Sequence, residues 1–347
     1  MLPPRPQGLG FRTVNWMNII VRMPNWIGDL VMATPVLADV RKNFPQASIT
    51  AMCRRPICAL LEKDGAIDEL FCFSKPVSGF VRREEERDIV ETLKEGKFDV
   101  GILLTNSFSS AWWFWQGGVK RRIGFSGHGR SLLLTDRPKR GQGHQVEVYK
   151  RVLEPLGIGV SETAPRLFVS EQEMGEAREL LRQRGYTGGK LVGINPGAAY
   201  GSAKCWPEER FREVALRLIG EGMTVVFFGD GATAELVKRI YIGLPNGAIN
   251  LAGATNLREL MCLIRLCDVL VTNDSGPMHI GAAFGVPLVA LFGSTDDLVT
   301  GPYGQAEAVI HKRPSCSPCF KRVCPIDFRC MKGIGVEEVV ERVKRYV

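Results

Sequence analysis

The fold is decided most clearly by residues 271–293, VTNDSGPMHIGAAFGVPLVALFG, where two apolar segments flank a polar turn and a run of small residues. An apolar strand, a short helix and a second apolar strand form the repeating unit of a parallel sheet. Ser275 or Asp274 can cap the helix, and Pro277 suits its first turn. The helix amides and dipole would then point beyond the strand exit, where an anion such as pyrophosphate is favoured.

The same alternation of apolar runs and amphipathic segments continues along the chain and predicts an α/β protein with two doubly wound halves. The first half has predicted strands at 18–22, 47–53, 69–73 and 98–104 and helices at 29–44 and 80–96. The second half has predicted strands at 190–196, 224–229, 248–253, 267–273 and 287–293 and helices at 208–222, 233–243, 257–266 and 335–347. The polar segment 161–172 separates the halves.

Length and composition support two domains in a soluble chain. The 347 residues are 45% hydrophobic and 24% charged, and single cores seldom exceed ~250–300 residues. We predict a disordered tail at 1–16 and domains at 17–168 and 169–347, with a terminal helix that can pack back on the first domain. No apolar run reaches the ~18 residues that span a bilayer, and no signal peptide is evident. Ten cysteines without a secretory signal indicate a reducing cytoplasm and free thiols.

The net charge of +8 is concentrated between residues 112 and 151. Two acids, Asp136 and Glu147, lie among its cations, which are Lys120, Arg121, Arg122, Arg130, Arg137, Lys139, Arg140, Lys150 and Arg151. This basic block is either a solvated face or a surface for an anionic substrate, an anionic membrane or nucleic acid.

The loops that follow predicted strands carry the unusual residues, as expected for ligand sites in parallel sheets. In residues 195–211, Gly197 and Gly201 permit close approach of a ligand, and Lys204 supplies a cation. The turn that begins at Gly229 matches a dinucleotide fingerprint only in part, because the acid expected about 20 residues later is missing. A nicotinamide enzyme is therefore disfavoured.

In the first half, Gly28 and Asp29 follow strand one and open a helix. Asp29 either favours the helix dipole or, placed across a cleft from a diphosphate, acts as a general base. His279, just beyond residues 274–277, is by itself more typical of a packed histidine than of a catalytic one.

Five segments together resemble a known family: PNWIGDLVMATPVL, TNSFSSA, NPGAAYGSAKCWPEE, NLAGATNLREL and TNDSGPMHIGAAFGVPLVALFGST. From about residue 18 to 300 the chain resembles the ADP-heptose–lipopolysaccharide heptosyltransferases of glycosyltransferase family 9, most closely their heptosyltransferase II group. The resemblance implies a GT-B fold, in which two Rossmann-like domains face a cleft. The first would bind the acceptor and the second the nucleotide-sugar, with inversion at the sugar carbon.

The resemblance also implies roles for individual residues. Asp29 would be the base and Lys204 the cation facing the diphosphate. The donor would contact Asn195, Gly197, Lys204, Gly229, Asp274, Ser275, Gly276, Met278 and His279. The acceptor would contact Arg54, Arg55, Asn106, Ser107 and Arg122.

The implied reaction moves heptose from ADP-L-glycero-D-manno-heptose to the lipid A–Kdo–heptose inner core of lipopolysaccharide. No cofactor is required, although Mg²⁺ can assist, and nucleic acid is not an expected partner. The enzyme would be cytoplasmic and peripheral to the inner membrane. The alternatives are another sugar-nucleotide GT-B enzyme, such as a different core transferase or a 2-epimerase-like protein, and a non-catalytic nucleotide- or nucleic-acid-binding protein.

Two further features remain. The spacing of Cys316, Cys319, Cys324 and Cys330 allows a zinc or iron cluster, but packed or redox-labile thiols are the default interpretation. The aromatic run at 112–115 cannot bury every ring if it is helical, so one or two rings are expected to be exposed. An exposed tryptophan beside Lys120 and Arg122 suits the interface of an anionic membrane.

Overall fold

The structure, a computed structural model, describes residues 17–74 and 80–347, with the backbone alone at 80–83. The predicted tail at 1–16 lies outside the described residues. Two parallel sheets form the chain, each covered by helices, and residues 158–170 join them without helix or strand. Asp39 holds this connection to the first domain, because its carboxylate accepts hydrogen bonds of 2.7 Å from Ser161 and of 2.7 Å from Thr163.

The first domain contains a five-stranded parallel sheet of order β3-β2-β1-β4-β5. Its strands are β1 Asn18–Arg22, β2 Ser48–Arg54, β3 Glu69–Phe73, β4 Val100–Leu103 and β5 Arg121–Gly124. Its helices are α1 Ile27–Asn43, α2 Phe80–Glu95, α3 Phe108–Gln116 and α4 Gln145–Lys150. Three 3₁₀ turns lie at Ile57–Leu61, Arg130–Leu133 and Arg151–Leu156.

The second domain contains a six-stranded parallel sheet of order β11-β10-β9-β6-β7-β8. Its strands are β6 Leu191–Asn195, β7 Thr224–Phe227, β8 Ala248–Asn250, β9 Val269–Asn273, β10 Leu288–Phe292 and β11 Val309–His311. Its helices are α5 Glu171–Gln183, α6 Glu208–Gly220, α7 Ala234–Tyr241, α8 Leu257–Leu266, α9 Gly276–Ala283, α10 Asp297–Thr300, α11 Arg329–Lys332 and α12 Val336–Lys344. Further 3₁₀ turns lie at Ser202–Lys204 and Ala306–Ala308.

Every predicted strand is present, whereas β5 and β11 were not predicted. Both lie at sheet edges and are short, with sequences RRIG and VIH. Edge strands that are half-exposed lack the continuous apolar run that identifies a buried parallel strand.

The two domains meet where α1 and α9 begin, so the carboxyl edges of the two sheets face each other. A Cβ atom on Gly28 would lie 2.6 Å from Cδ2 of His279, and one on Gly276 would lie 2.8 Å from Cγ2 of Ile27. Both glycines are therefore required for the close approach of the two helices. This approach brings the loops of both sheets to one cleft.

The terminal helix α12 packs against α6 and β10, and Val339, Val340 and Val343 are buried in the core of the second domain. The expectation that it returns to the first domain is wrong. The apolar face of α12 is already buried within the second domain, because it packs against Val214 and Leu218 of α6.

One pair of cysteines departs from the expectation of free thiols. Cys58, in the 3₁₀ turn that connects β2 to β3, forms a disulfide with Cys72 of β3, with a Cα–Cα distance of 6.1 Å. The other eight cysteines are free. Among the described residues, no helix combines the length and the apolar character that a membrane span requires.

Candidate active site

Asp29 lies in the first turn of α1, directly after the exit of β1, where the helix dipole favours a carboxylate. The phenol of Tyr149, on α4, donates a hydrogen bond of 2.9 Å to Oδ1 of Asp29. Burial raises the pKa of the Asp29 carboxyl above its usual range, while the Tyr149 hydrogen bond and the charge of Lys204 act in the opposite direction. The result is an oriented carboxylate that is more basic than an exposed aspartate.

Lys204 is fixed by an ion pair in the second domain. Its Nζ lies 2.5 Å from Oδ2 of Asp274, and the Thr295 hydroxyl donates a hydrogen bond of 2.6 Å to the same oxygen. These three residues follow β6, β9 and β10, which are neighbours in the sheet, so their loops meet at one edge. An ammonium has three donors, and the pair with Asp274 leaves others for a ligand.

The start of α9 borders this ion pair. Ser275 is the N-cap residue by position but makes no side-chain capping bond, contrary to the sequence interpretation. Its hydroxyl instead accepts a hydrogen bond of 3.2 Å from Nδ2 of Asn195 and lies 3.2 Å from the hydroxyl of Thr272. Pro277 has no N–H and the Met278 amide donates a hydrogen bond of 3.2 Å to the carbonyl of Ser275, so the Gly276 amide is the donor that this helix start offers to an anion.

Gly197 and Gly229 meet around Thr233. A Cβ atom on Gly197 would lie 2.6 Å from Cγ2 of Thr233, and one on Gly229 would lie 2.5 Å from its hydroxyl oxygen. These glycines allow two loops to pack together beside the site. Met278 is completely buried in the core, so its predicted contact with the donor is wrong.

His279 is buried at the contact between the domains, beside Gly28. It lines a small cavity of about 30 Å³ with Met32 and Tyr303. Burial lowers the pKa of His279 to about 4, so the imidazole is neutral near pH 7. The structure places it as an interface residue rather than as a proton carrier.

Four of the predicted acceptor residues lie at the carboxyl edge of the first sheet. Arg54 and Arg55 end or follow β2, and Asn106 and Ser107 follow β4, so they flank the exit of β1. Within this group, Asn106 Oδ1 accepts a 3.5 Å bond from Arg130, and the Ser107 hydroxyl caps α3. The Arg55 side chain is exposed.

Arg122 does not face this edge. It lies near the beginning of β5, and its Nε donates a hydrogen bond of 2.6 Å to the carbonyl of Leu133. Its Nη1 donates a second bond of 2.6 Å to the carbonyl of Val119. The predicted acceptor contact is therefore wrong, because the backbone carbonyls already use the guanidinium.

The basic block divides into two groups. Six of its cations make internal contacts: Lys120 with Asp99, Arg121 with Asp136, Arg151 with Glu154, Lys150 with the carbonyl of Ser161, and Arg122 and Arg130 with backbone carbonyls. Within the described ranges, Arg137, Lys139 and Arg140 are exposed and make no hydrogen bond or ion pair. The charge of Arg140 lowers the pKa of Asp29, which places this cation near the cleft.

The four clustered cysteines line one cavity of about 140 Å³ next to the Lys204 loop. In the part of the chain that the structure describes, no group of three histidine, cysteine or acidic side chains is placed to hold a metal ion. The segment instead braces the loop: Tyr200 donates a 2.7 Å bond to the carbonyl of Phe320, and the amide of Ala203 donates a 3.0 Å bond to that of Arg322.

Sequence reasoning missed Tyr149 and Thr295, and it named Arg140 only as one cation of the basic block. Tyr149 lies 120 residues from Asp29, and Thr295 lies 21 residues from Asp274. Thr295 ends the last of the five quoted segments, so its position after a strand was the available signal. For Tyr149 the sequence offers none.

Comparisons with known proteins agree with this geometry. A family model described as glycosyltransferase family 9 (heptosyltransferase) matches residues 87–328. Lipooligosaccharide heptosyltransferase 2 of Campylobacter jejuni is 30% identical, over 94% of this chain and 98% of that protein. Lipopolysaccharide heptosyltransferase 2 of Escherichia coli K12 is 33% identical, over 85% of this chain and 88% of that protein.

Solved structures show the same relationship. The structure of E. coli ADP-heptose LPS heptosyltransferase II superposes with a TM-score of 0.82 at 28% identity, covering 95% of this chain and 98% of that one. Two parallel-sheet domains that face a cleft are the GT-B arrangement, as the resemblance implied. With a family model that spans most of the sequence and relatives that match nearly all of it, this chain belongs to glycosyltransferase family 9, the heptosyltransferases.

Proposed function

We propose that this chain transfers heptose from ADP-L-glycero-D-manno-heptose to the acidic inner core of lipopolysaccharide, with inversion at the anomeric carbon. One observation carries the proposal. Asp29 lies in the first turn of α1, which packs against the start of α9, and the ion pair of Lys204 with Asp274 lies directly before α9. A base and a cation on opposite walls of one cleft suit an in-line displacement. The names of the relatives, heptosyltransferase 2, supply the sugar.

In this reaction Asp29 accepts the proton of an acceptor hydroxyl as its oxygen attacks the anomeric carbon. The bond between that carbon and the diphosphate breaks, and ADP leaves with the negative charge. Lys204 and the Gly276 amide at the start of α9 stabilise that charge in a preorganised site. These groups supply what a metal ion would otherwise supply, so Mg²⁺ is at most an accessory.

The acceptor side of the proposal rests on charge. Arg54 and Arg55 flank the cleft, and Arg140 lies near Asp29, so an acidic acceptor is favoured there. We place the enzyme on the cytoplasmic face of the inner membrane, as a peripheral protein. A nucleic-acid-binding role loses its main support, because six cations of the basic block already pair with acids or backbone carbonyls of the same chain.

The test is Asp29→Asn, which preserves size and removes the basic lone pair. General-base catalysis is typically worth ~10²–10⁴-fold, so kcat should fall by about that factor. ADP affinity and melting temperature should hardly change, because Asn suits the helix start nearly as well. The assay is ADP release with ADP-heptose and a core acceptor.

Asp88→Asn is the matched control, because Asp88 is exposed on α2 and distant in sequence from the site. It should leave kcat unchanged. Near-normal turnover of Asp29→Asn would show that the base lies elsewhere.

A further inference from the structure

Helix α3 presents an apolar face to solvent. Phe108, Trp112 and Trp115 are 47%, 37% and 48% exposed, although Ala111 and Phe114 on the opposite face are buried. Their spacing places the three exposed rings on one side of the helix. The ring centroids are 6.1 Å apart for Phe108 and Trp112 and 5.0 Å apart for Trp112 and Trp115, so the rings form a continuous surface.

A leucine extends this surface. Leu132 is 94% exposed in the 3₁₀ turn Arg130–Leu133, which packs against α3. The turn is anchored from below: Arg130 is completely buried, and its Nε donates a 2.8 Å bond to the carbonyl of Phe125. The 2.6 Å bond from Arg122 to the carbonyl of Leu133 fixes the end of the turn. Leu132 is thus held in solvent by a rigid support. We call Phe108, Trp112, Trp115 and Leu132 the apolar patch.

Unpaired cations follow directly in the chain. Arg137, Lys139 and Arg140 lie five to eight residues after Leu132, and each is exposed without an ion pair among the described residues. We call these three residues the cationic strip. It follows the apolar patch along the chain, and the charge of its last residue, Arg140, acts on Asp29 in the cleft.

We propose that the apolar patch and the cationic strip dock on the surface of an anionic phospholipid bilayer. Tryptophan and phenylalanine favour the headgroup level, and lysine and arginine beside them attract anionic lipids. The charge decides between partners, because a second copy of the chain placed patch to patch would bring two cationic strips together. The statement that the docked protein turns its cleft toward a lipid-linked acceptor rests on the proposed function. The docking itself does not depend on that function.

The test is sedimentation with vesicles of phosphatidylglycerol and phosphatidylcholine in equal parts. Wild-type protein should bind these vesicles and bind pure phosphatidylcholine much more weakly. Trp115→Ser/Leu132→Ser should lower the partition coefficient by about tenfold or more, because the inserted apolar area is lost. Ile242→Ser/Val323→Ser removes exposed apolar residues of the second domain and should bind like wild type.

A second variant separates charge from apolar contact. Arg137→Gln/Lys139→Gln should lower binding to anionic vesicles roughly thirtyfold, from ~1 kcal/mol for each cation near the surface. Turnover with a lipid-free core acceptor should be unchanged in Trp115→Ser/Leu132→Ser, which shows that the variant is folded.

Three results would overturn docking. The first is that Trp115→Ser/Leu132→Ser binds vesicles as tightly as the wild type does. The second is that the wild type binds both vesicle types equally. The third is that the wild type sediments as a dimer in sedimentation velocity while this variant sediments as a monomer. Vesicle binding without any heptosyl transfer would instead refute the proposed function and leave docking in place.

Discussion

The Tyr149 phenol donates a hydrogen bond of 2.9 Å to Oδ1 of Asp29, which joins α4 to the first turn of α1. Tyr149 is almost completely buried, so water does not compete readily for this bond. The bond stabilises the carboxylate and orients one of its oxygens. The other oxygen remains for the proton of an acceptor hydroxyl, which gives Tyr149 a positioning role.

Tyr149→Phe should shift the acidic limb of the kcat/KM profile to higher pH. The Tyr149 hydrogen bond lowers the pKa of Asp29, so its removal raises that pKa further and protonates the base at a higher pH. Tyr186→Phe is the control, because its hydroxyl bonds only the carbonyl of Gly189. An unshifted limb, with turnover lowered at every pH, would reduce Tyr149 to a packing residue.

Lys204→Met should weaken ADP binding by about 10–100-fold, the range expected for the loss of one charge-assisted hydrogen bond. The substitution also lowers stability, because it leaves the Asp274 carboxylate with only Thr295 as partner. Titration calorimetry well below the melting temperature of the variant measures the ADP affinity separately from this effect. Lys190→Met is the matched control, since Lys190 precedes the same strand at its other end and pairs with Asp268 at 3.3 Å. Equal ADP affinities in the two variants would exclude Lys204 from the diphosphate site.

Gly28→Ala should lower both stability and turnover. The added methyl group would lie 2.6 Å from the His279 ring, and overpacking of this kind costs about 1–3 kcal/mol. Alanine itself favours a helix more than glycine does, so any loss comes from this contact. Because α1 carries Asp29, a small displacement should cost about tenfold or more in kcat/KM.

Gly159→Ala is the control for Gly28→Ala, since nothing lies within 4 Å of a Cβ atom there. Melting temperature and kcat/KM should be measured on both proteins. If both behave like wild type, α1 and α9 are not tightly apposed at this point.

His279 should make stability fall in mild acid. Burial lowers its pKa to about 4, from the 6.5 of an exposed histidine, so the unfolded chain binds more protons between these values. The free energy of unfolding therefore decreases as pH falls through this window, by up to about 3 kcal/mol from this residue. Denaturant titrations at several pH values measure the slope.

His279→Asn should flatten that slope, whatever its effect on stability at neutral pH. His128→Asn, at an exposed position where asparagine suits the left-handed backbone, should leave the slope unchanged. A slope that persists in His279→Asn would assign it to other groups, among them His144, whose pKa is also lowered by burial.

The sequence by itself determined the sheets, the loops that carry chemistry and the family. The strand at 269–273 and the turn at 274–277 follow from hydrophobic pattern and turn residues, which are local properties of the chain. Asp29 and Lys204 could be selected for the same reason, because each follows a strand. Short edge strands such as Arg121–Gly124 escaped detection, since half-exposed positions carry little hydrophobic signal.

Only the tertiary structure decided which polar groups are already engaged in hydrogen bonds or ion pairs within the chain. Arg122 and Arg121 resemble Arg137 and Arg140 in sequence, yet the first two are held by carbonyls or by Asp136 while the latter remain exposed. Partners 15 or 120 residues apart leave no local pattern, because hydrogen bonding and burial depend on which surfaces the fold brings together. The environment of Asp29, and with it the basicity of the carboxylate, is therefore a property of the folded molecule alone.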